Sequence, residues 1–340
     1  MEPTIDFDKA ATEPWDAIVV GAGPAGAMAS RELSRLGASV LLVDKSPFLR
    51  FRVCGSCLSS RCLQLLENVG LGDLPARLGA RTLKHWSLAA GSRQAKLKLA
   101  GHVSLSREAF DAALIGASVA VGTAFLSGTR AGLDAVDGGA LQLTVRDSER
   151  RAKLNARVIV DASGLGGNFQ ETDAEQTRRP ASTRIGAAVL ADVKVISDEQ
   201  SAVYMSCGSH GYVGTVSVED DRLDVAAALD PGAVKQFGLG RTAERVIAEA
   251  GLPPISGLSE LPWRGTPLLT RRADRLAVER IFAVGDAAGY LEPFTGEGIA
   301  WTLSAGAAVA PIVREAGRDW NKALCTRWSR EYRRVVLRRQ

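Results

Sequence analysis

The hexapeptide Gly21-Ala-Gly23-Pro24-Ala25-Gly26 has the residue types and spacing that hold a pyrophosphate. The first glycine permits a tight turn, the second lets backbone approach the phosphates, and the third lets a helix pack on a strand. The phosphates then sit at the helix N-terminus, where free N–H groups and the helix dipole favour anions. Asp44, followed by Lys45, closes the next apolar run. From there its carboxylate can accept the hydroxyls of an adenosine ribose.

A second constellation lies far downstream: Val284-Gly285-Asp286-Ala-Ala-Gly289, then Pro293, then Gly296-Glu-Gly298-Ile299. An aspartate delivered by a strand to this turn can bind a sugar-alcohol chain and the phosphate beside it. The helix opened by Gly296 to Ile299 can turn its positive end toward a flavin pyrimidine edge, which becomes anionic on reduction. The glycine triplet alone suits NAD or FAD. The pair of motifs points to FAD.

Cys54 and Cys57 form a Cys-x-x-Cys pair. One reading is a redox dithiol exchanging electrons with the flavin. The other, which is preferred, is a Cys-Gly turn with an incidental buried thiol. Zinc is not indicated, because no second cysteine or histidine pair has suitable spacing. Of the three isolated histidines, His85 and His102 read as surface or strand residues. His210, in a glycine-flanked turn, is the one that could reach an active site.

These residues need a scaffold. Asp16 to Val20 and Ser39 to Val43 read as buried parallel strands, joined by a helix from Ala25 to Leu36 that Gly37 ends. Ser106 is placed to cap a helix reaching Val119. Strands are expected at Gly122 to Leu126, Ala140 to Arg146 and Arg157 to Val160, with a hairpin turn at Val136-Asp-Gly-Gly139 between the first two. Further strands are expected at Ala187 to Val195, Gly211 to Val218 and Leu223 to Leu229, the last two joined by a turn at Asp220-Asp221. A helix follows at Arg241 to Ala250, then a strand at Arg280 to Val284 and a helix at Ile299 to Val313. This is an α/β pattern: a discontinuous Rossmann-like FAD-binding domain (1–80, 105–168 and 272–340) with an inserted, mainly antiparallel β-sheet domain for substrate (81–104 and 169–271).

The 340 residues suit about two domains, and five cysteines without a secretory signal point to a reducing compartment, the cytoplasm. Residues 317–340 carry eight basic side chains against two acidic ones, an excess larger than the whole-chain net charge of +4. The remainder is slightly acidic, so no general nucleic-acid surface is implied. Within that basic tail, Trp320, Leu324, Trp328, Tyr332 and Val336 recur every four residues on one helical stripe. The stripe suits a terminal helix docked on the flavin domain, or an interfacial helix making a peripheral contact with anionic lipid.

Gly21 to Gly26, Asp44 and Gly285-Asp286…Pro293…Gly296-Glu-Gly298 resemble the flavoproteins of the p-hydroxybenzoate-hydroxylase fold. Phe51-Arg-Val-Cys-Gly-Ser-Cys-Leu-Ser59, Ser104 to Asp111, Gly211 to Gly214 and Asp221 to Val225 are similar to segments of its geranylgeranyl-reductase-like branch. The resemblance implies that Arg52 and Arg107 lie near FAD and that Cys54-Gly55 borders the isoalloxazine. It puts Asp161-Ala-Ser-Gly164 in place of the Asp-Gly pair through which the hydroxylases engage NADPH and the FAD phosphates. The paired-tryptophan motif and catalytic lysine of the halogenases have no match at Gly211 to Val218, and the aromatic-rich motif of several prenyl reductases is not evident. The activity implied is hydride transfer to an unsaturated, largely apolar small molecule, with NAD(P)H or an electron-donor protein as transient reductant. The alternatives are a monooxygenase and, below it, a non-catalytic redox flavoprotein using Cys54 and Cys57.

Overall fold

Trp15–Val20 (β1) and Val40–Val43 (β2) are almost wholly apolar because the parallel sheet they form is covered on both faces. The computed structural model describes residues 2–137, 140–166, 177–178, 183–192, 201–273, 275–292 and 294–336. Next to β1 lies the C-terminal half of β9 (Arg151–Asp161), followed by β18 (Ile281–Ala283); next to β2 lies β6 (Ala124–Leu126). All five strands are parallel, and β17 (Ala277–Val278) adds an antiparallel edge to β18.

Alternation along β1 sends Ala17 and Val19 to one side of this sheet and Ile18 and Val20 to the other. The first side packs against helices α2 (Pro24–Arg35), α5 (Arg107–Val119) and α8 (Gly298–Arg318). The second packs against α1 (Phe7–Thr12) and an antiparallel layer of β7 (Arg130–Asp137), β8 (Ala140–Arg146) and the N-terminal half of β9. Ser106 caps α5, its hydroxyl accepting from the Ala109 amide at 3.2 Å.

The hairpin corrects one expectation. Its first strand is β7, and the preceding run shrinks to β6 and joins the parallel sheet instead. Periodicity could not separate the two, since both are short runs flanked by glycine. The turn residues 138–139 lie outside the described residues.

The second large sheet runs β15 (Arg264–Leu268), β11 (Ile185–Ala191), β14 (Leu223–Leu229), β13 (Gly211–Ser217), β12 (Ala202–Gly208), β4 (Arg81–Ala90), β5 (Arg93–Ser104), β3 (Cys57–Leu58). It is antiparallel except where β12 meets β4. The long hairpin of β4 and β5 has no counterpart among the strands expected from sequence. The strand expected to reach Val195 ends at Ala191, and 193–195 lie outside the described residues. One face of the sheet is covered by α6 (Pro231–Phe237) and α7 (Leu239–Glu249) over Val213, Val225, Ala227 and Leu229. The opposite face looks toward the parallel-sheet domain. A third, small sheet of β10 (Thr177–Arg178), β16 (Arg271–Ala273) and β19 (Gly289–Tyr290) lies between them in the chain's connections. Helices α3 (Ser60–Asn68) and α4 (Leu74–Arg77) link β3 to β4.

The chain closes with α9 (Ala323–Val335). Leu324, Trp328, Tyr332 and Val336 are all buried in the flavin-domain core, and the Trp328 indole donates to the Ala283 carbonyl at 3.1 Å. The apolar stripe is thus occupied within the chain, and the exposed side of α9 carries Arg327, Arg330, Arg333 and Arg334. Among the described residues, no helix is long and apolar enough to cross a membrane.

Trp328 is fully buried. Trp328→Ala should therefore cost about 3–5 kcal/mol, whereas Arg330→Ala, on the exposed side of α9, should change stability by less than about 0.5 kcal/mol. Thermal or denaturant unfolding of both variants checks this. Equal losses would show that the stripe is not part of the core.

Candidate functional site: a cofactor groove opening into an apolar cavity

One continuous cavity of about 1130 Å³ separates the parallel sheet from the inner face of the second sheet. At one end the glycine turn is shaped by backbone contacts. Gly21 has φ +106°, and a Cβ there would fall 2.2 Å from the Ala162 carbonyl oxygen. A Cβ on Gly26 would fall 1.8 Å from the Gly21 carbonyl oxygen, which places Gly26 in the helix–strand contact, not on the cavity. Gly23 is different: a Cβ there would meet nothing within 4 Å. It faces the cavity, and it opens α2 with no side chain capping the first amides. Open space before an uncapped helix start fits a pyrophosphate.

Asp44 is buried at this end. It accepts from the Ala22 amide at 2.8 Å, the Ser46 amide at 2.9 Å and Arg50 Nη2 at 2.9 Å. A carboxylate offers about four acceptor positions. Three are filled, so roughly one remains for a ribose hydroxyl where two had been expected.

Arg50, absent from the expected set, is the centre of a buried charge chain. Its Nη1 lies 3.7 Å from Asp111 Oδ2, and Asp111 grips Arg107 with both oxygens, at 2.8 and 2.9 Å. Burial pulls the Arg50 guanidinium below its ordinary value, and Asp44 opposes that pull. Burial also works against charge on Arg107, but Asp111 outweighs it and holds the group firmly cationic. Arg50 sits 4.4 Å over the Phe48 ring, and its Nε and Nη1 have no hydrogen-bond partner among the described residues. A basic residue six positions after Asp44 was the signal that could have found it. Lys45, Arg52 and Arg107 also line the cavity.

The downstream motif meets the first at Ala25. Gly285 has φ +58°, and its Cβ would fall 2.9 Å from the Ala25 Cβ. Gly285, Asp286, Gly296, Gly298 and Ile299 all line the same cavity. The two glycine–acid clefts, remote in sequence, therefore converge. Helix α8 starts without a side-chain cap, as α2 does. Pro293 lies outside the described residues.

The Cys54–Cys57 turn is wedged between this motif and β14. A Cβ on Gly296 would sit 3.5 Å from the Cys57 Cβ, and one on Gly55 would sit 3.9 Å from the Ala226 Cβ. Both cysteines are free thiols on the cavity. Burial raises both thiols, and for Cys54 the nearby Arg107 only partly offsets it. Neutral thiols are poor nucleophiles and poor exchange partners, so the geometry favours the turn over the dithiol relay.

Two expected residues lie elsewhere. Asp161 is buried at the end of β9, where it accepts from the Ser163 amide at 3.1 Å; the turn it braces, through Gly164, does reach the cavity. His210 is in the β12–β13 turn with its ring 6.3 Å from that of Phe237, away from the cavity. A flanking glycine pair signals a turn but not which end of the sheet carries it. His102, read as a strand residue, lines the cavity edge.

Beyond the Cys54–Cys57 turn the cavity becomes apolar, walled by Leu83, Leu99, Val203, Met205 and Val216. An aromatic row completes it: Trp86 to Phe294 at 5.6 Å, and Phe294 to Tyr212 at 4.8 Å. The polar end of this wall is Glu292, which accepts from Arg184 Nη1 at 2.9 Å and faces Tyr212. Burial and then the Glu292 charge keep the Tyr212 phenol protonated.

Comparisons with known proteins agree with this geometry. Residues 15–310 match the family described as FAD binding domain. The chain belongs to that family. It is an FAD-dependent oxidoreductase, and FAD is its cofactor. It is 25% identical over 341 residues to a digeranylgeranylglycerophospholipid reductase of Methanococcus aeolicus, covering 95% of this chain and 84% of the relative. Its fold is shared with the flavin-dependent halogenase CmlS (TM-score 0.79, 20% identity), over 95% of this chain and 62% of that one. It is shared too with a flavoprotein/dehydrogenase from Cytophaga hutchinsonii (TM-score 0.77, 19% identity), over 93% of this chain and 82% of that one.

The glycines make separable predictions. Gly23→Ala puts a methyl into the space a phosphate would fill, so FAD affinity should drop roughly tenfold or more, about 1.4 kcal/mol per decade, while the apoprotein melts as before. Gly26→Ala drives its Cβ into the Gly21 carbonyl and should lower the melting temperature of the apoprotein itself. Flavin fluorescence titration and calorimetry separate the two. Unchanged FAD affinity in Gly23→Ala would remove the phosphate from this turn.

Proposed function

We propose that this oxidoreductase reduces a carbon–carbon double bond in a largely apolar small molecule. The observation that carries the reading is the continuity of the cavity: the groove that fits the cofactor opens directly onto the wall of Leu83, Leu99, Val203, Met205 and Val216. The reductase name of the archaeal relative supports it. FAD, when bound, would supply hydride to the substrate, and would be re-reduced either by hydride from a nicotinamide or by two electrons from a donor protein with a proton from solvent.

The chain's own residues position, neutralise and exclude water. Gly23 and the start of α2 receive the phosphates, Asp44 takes the ribose, and Arg50, Arg52 and Arg107 balance the negative charge. The start of α8 turns its positive end toward charge that builds up on reduction. The apolar wall gives an alkene its driving force for entry, about 25 cal/mol per Å² removed from water. It also keeps water away from the reacting carbons.

A second reading, hydroxylation, is favoured by one feature: Tyr212 and Glu292 give the cavity a polar end suited to a substrate hydroxyl.

Purified protein with FAD, NADH or NADPH and a geranylgeranyl lipid or alcohol, held without oxygen, should yield a product gaining hydrogen across a double bond. Met205→Trp, which fills the apolar wall, should abolish turnover while FAD stays bound. If product forms only with dioxygen and carries its labelled oxygen, the reductase reading falls and the hydroxylase reading replaces it.

A further inference from the structure

We propose that Arg130, Arg146 and Arg151 form a second anion site in the cavity, one that takes the phosphates of a nucleotide bound beside FAD. This rests on the reading of Asp44 as the ribose contact of FAD.

The row follows from strand register. In the antiparallel layer, Arg130 of β7 is the direct partner of Arg146 of β8, and Arg146 is the direct partner of Arg151 of β9. Their chain neighbours Ala131, Val145 and Ala152 pack toward the parallel sheet. The three arginines therefore share the opposite face. Adjacent strands lie about 4.8 Å apart, so three guanidiniums stand side by side over roughly 10 Å. Like charges directly opposite one another destabilise a strand pair. A carboxylate among them would relieve that, but among the described residues none of the three makes an ion pair. Asp147, the acid next to Arg146, is held by Arg150 Nε at 3.0 Å and by the Glu149 and Arg150 amides at 2.8 and 2.7 Å. The row is thus left with its charge uncompensated and its donors exposed.

All three arginines line the cavity. The Thr129 amide donates to the Asp44 carbonyl at 2.9 Å, which puts Arg130 one residue from the strand end that takes the ribose. The pyrophosphate of FAD goes to Gly23 and the start of α2, so it does not neutralise the row. Two residues along β7, Gly132 lies opposite Thr144 on the arginine face, and both line the cavity. A Cβ on Gly132 would meet nothing within 4 Å. The floor beside the row is therefore open, with room for a nucleoside.

The guanidinium fork matches phosphate oxygens in pairs of parallel hydrogen bonds. A phosphate seated between neighbouring guanidiniums fills one gap, and a row of three has two gaps. The ligand that fits carries two phosphate groups, either joined as a pyrophosphate or set at different positions of one ribose. Nicotinamide dinucleotides carry the first arrangement, and NADPH carries the second as well.

The test is calorimetric titration of the FAD-loaded protein, at low salt, with 5′-ADP, 2′,5′-ADP and 5′-AMP, while flavin fluorescence reports any release of FAD. At least one of the two-phosphate probes is expected to bind about tenfold or more tighter than 5′-AMP, with FAD retained. A tighter 2′,5′-ADP assigns the ligand as NADPH-like, and a tighter 5′-ADP assigns it as a nucleoside diphosphate or NADH-like. Arg146→Ala, which removes the centre of the row, should lose about tenfold or more of that affinity. Arg146→Lys keeps the charge without the fork and should recover only part of it. The Arg146→Ala apoprotein should melt at or above the native temperature, because a like-charge repulsion is gone; a purely structural Arg146 would lower it. Equal affinity for all three probes, unchanged affinity in Arg146→Ala, or release of FAD by the probes would each overturn the proposal. Native protein that takes up no FAD would instead sink the flavin reading, and the same titrations on the apoprotein would still decide, through their dependence on Arg146, whether the row binds nucleotide phosphates.

Discussion

Three backbone surfaces press on helix α2 around Ala25, and none of them admits a side chain. A Cβ on Gly26 would strike the Gly21 carbonyl at 1.8 Å, one on Gly306 would come within 2.4 Å of the Ala25 carbonyl, and one on Gly285 within 2.9 Å of the Ala25 Cβ. The rest of the molecule depends on this close approach. It holds the first βα turn against β1, lays α8 along α2, and brings the Asp286 turn to the start of α2. A flavin cofactor is long, and a single cleft grips one end of it. Only because two clefts from opposite ends of the sequence meet at Ala25 is there one groove for the whole molecule.

Charge is distributed along that groove in a way that suits its two halves. The phosphate end carries the buried chain Asp44, Arg50, Asp111 and Arg107, in which every carboxylate oxygen pair is committed to a guanidinium or an amide. Such a chain tolerates burial because each charge has a partner, and its remaining donors suit an anion. The substrate end is built in the opposite manner. Cys54, Cys57 and Tyr212 are all kept neutral by burial, so the cavity presents apolar and aromatic surface there, with Glu292, paired to Arg184, at its polar end.

The fold as a whole is shared with a halogenase and with a flavoprotein/dehydrogenase. In this chain the apolar wall of the cavity is the face of β4, β12 and β13. Fold alone does not choose the reaction.

The sequence by itself determined what is local. The glycine triplet, the acid after β2, the Ser106 cap, the apolar parallel strands and the Gly285-Asp286 turn each report a requirement satisfied within a few residues: a positive φ, an uncapped helix start, a strand with both faces covered. Their types and order were enough to give the cofactor and the layered α/β plan. The tertiary structure decided everything that needs two distant segments in contact. Arg50 reads as one of two neighbouring arginines until Asp44 and Asp111 close on it. His210 reads as a site residue until its turn is seen at the wrong end of the sheet. The β4–β5 hairpin, exposed on much of its surface, carries little hydrophobic pattern and takes its register from β12. The fate of the C-terminal stripe was equally undecided, because an apolar helix face is the same whether a membrane or a protein core covers it, and only the position of α8 and β18 shows which one does.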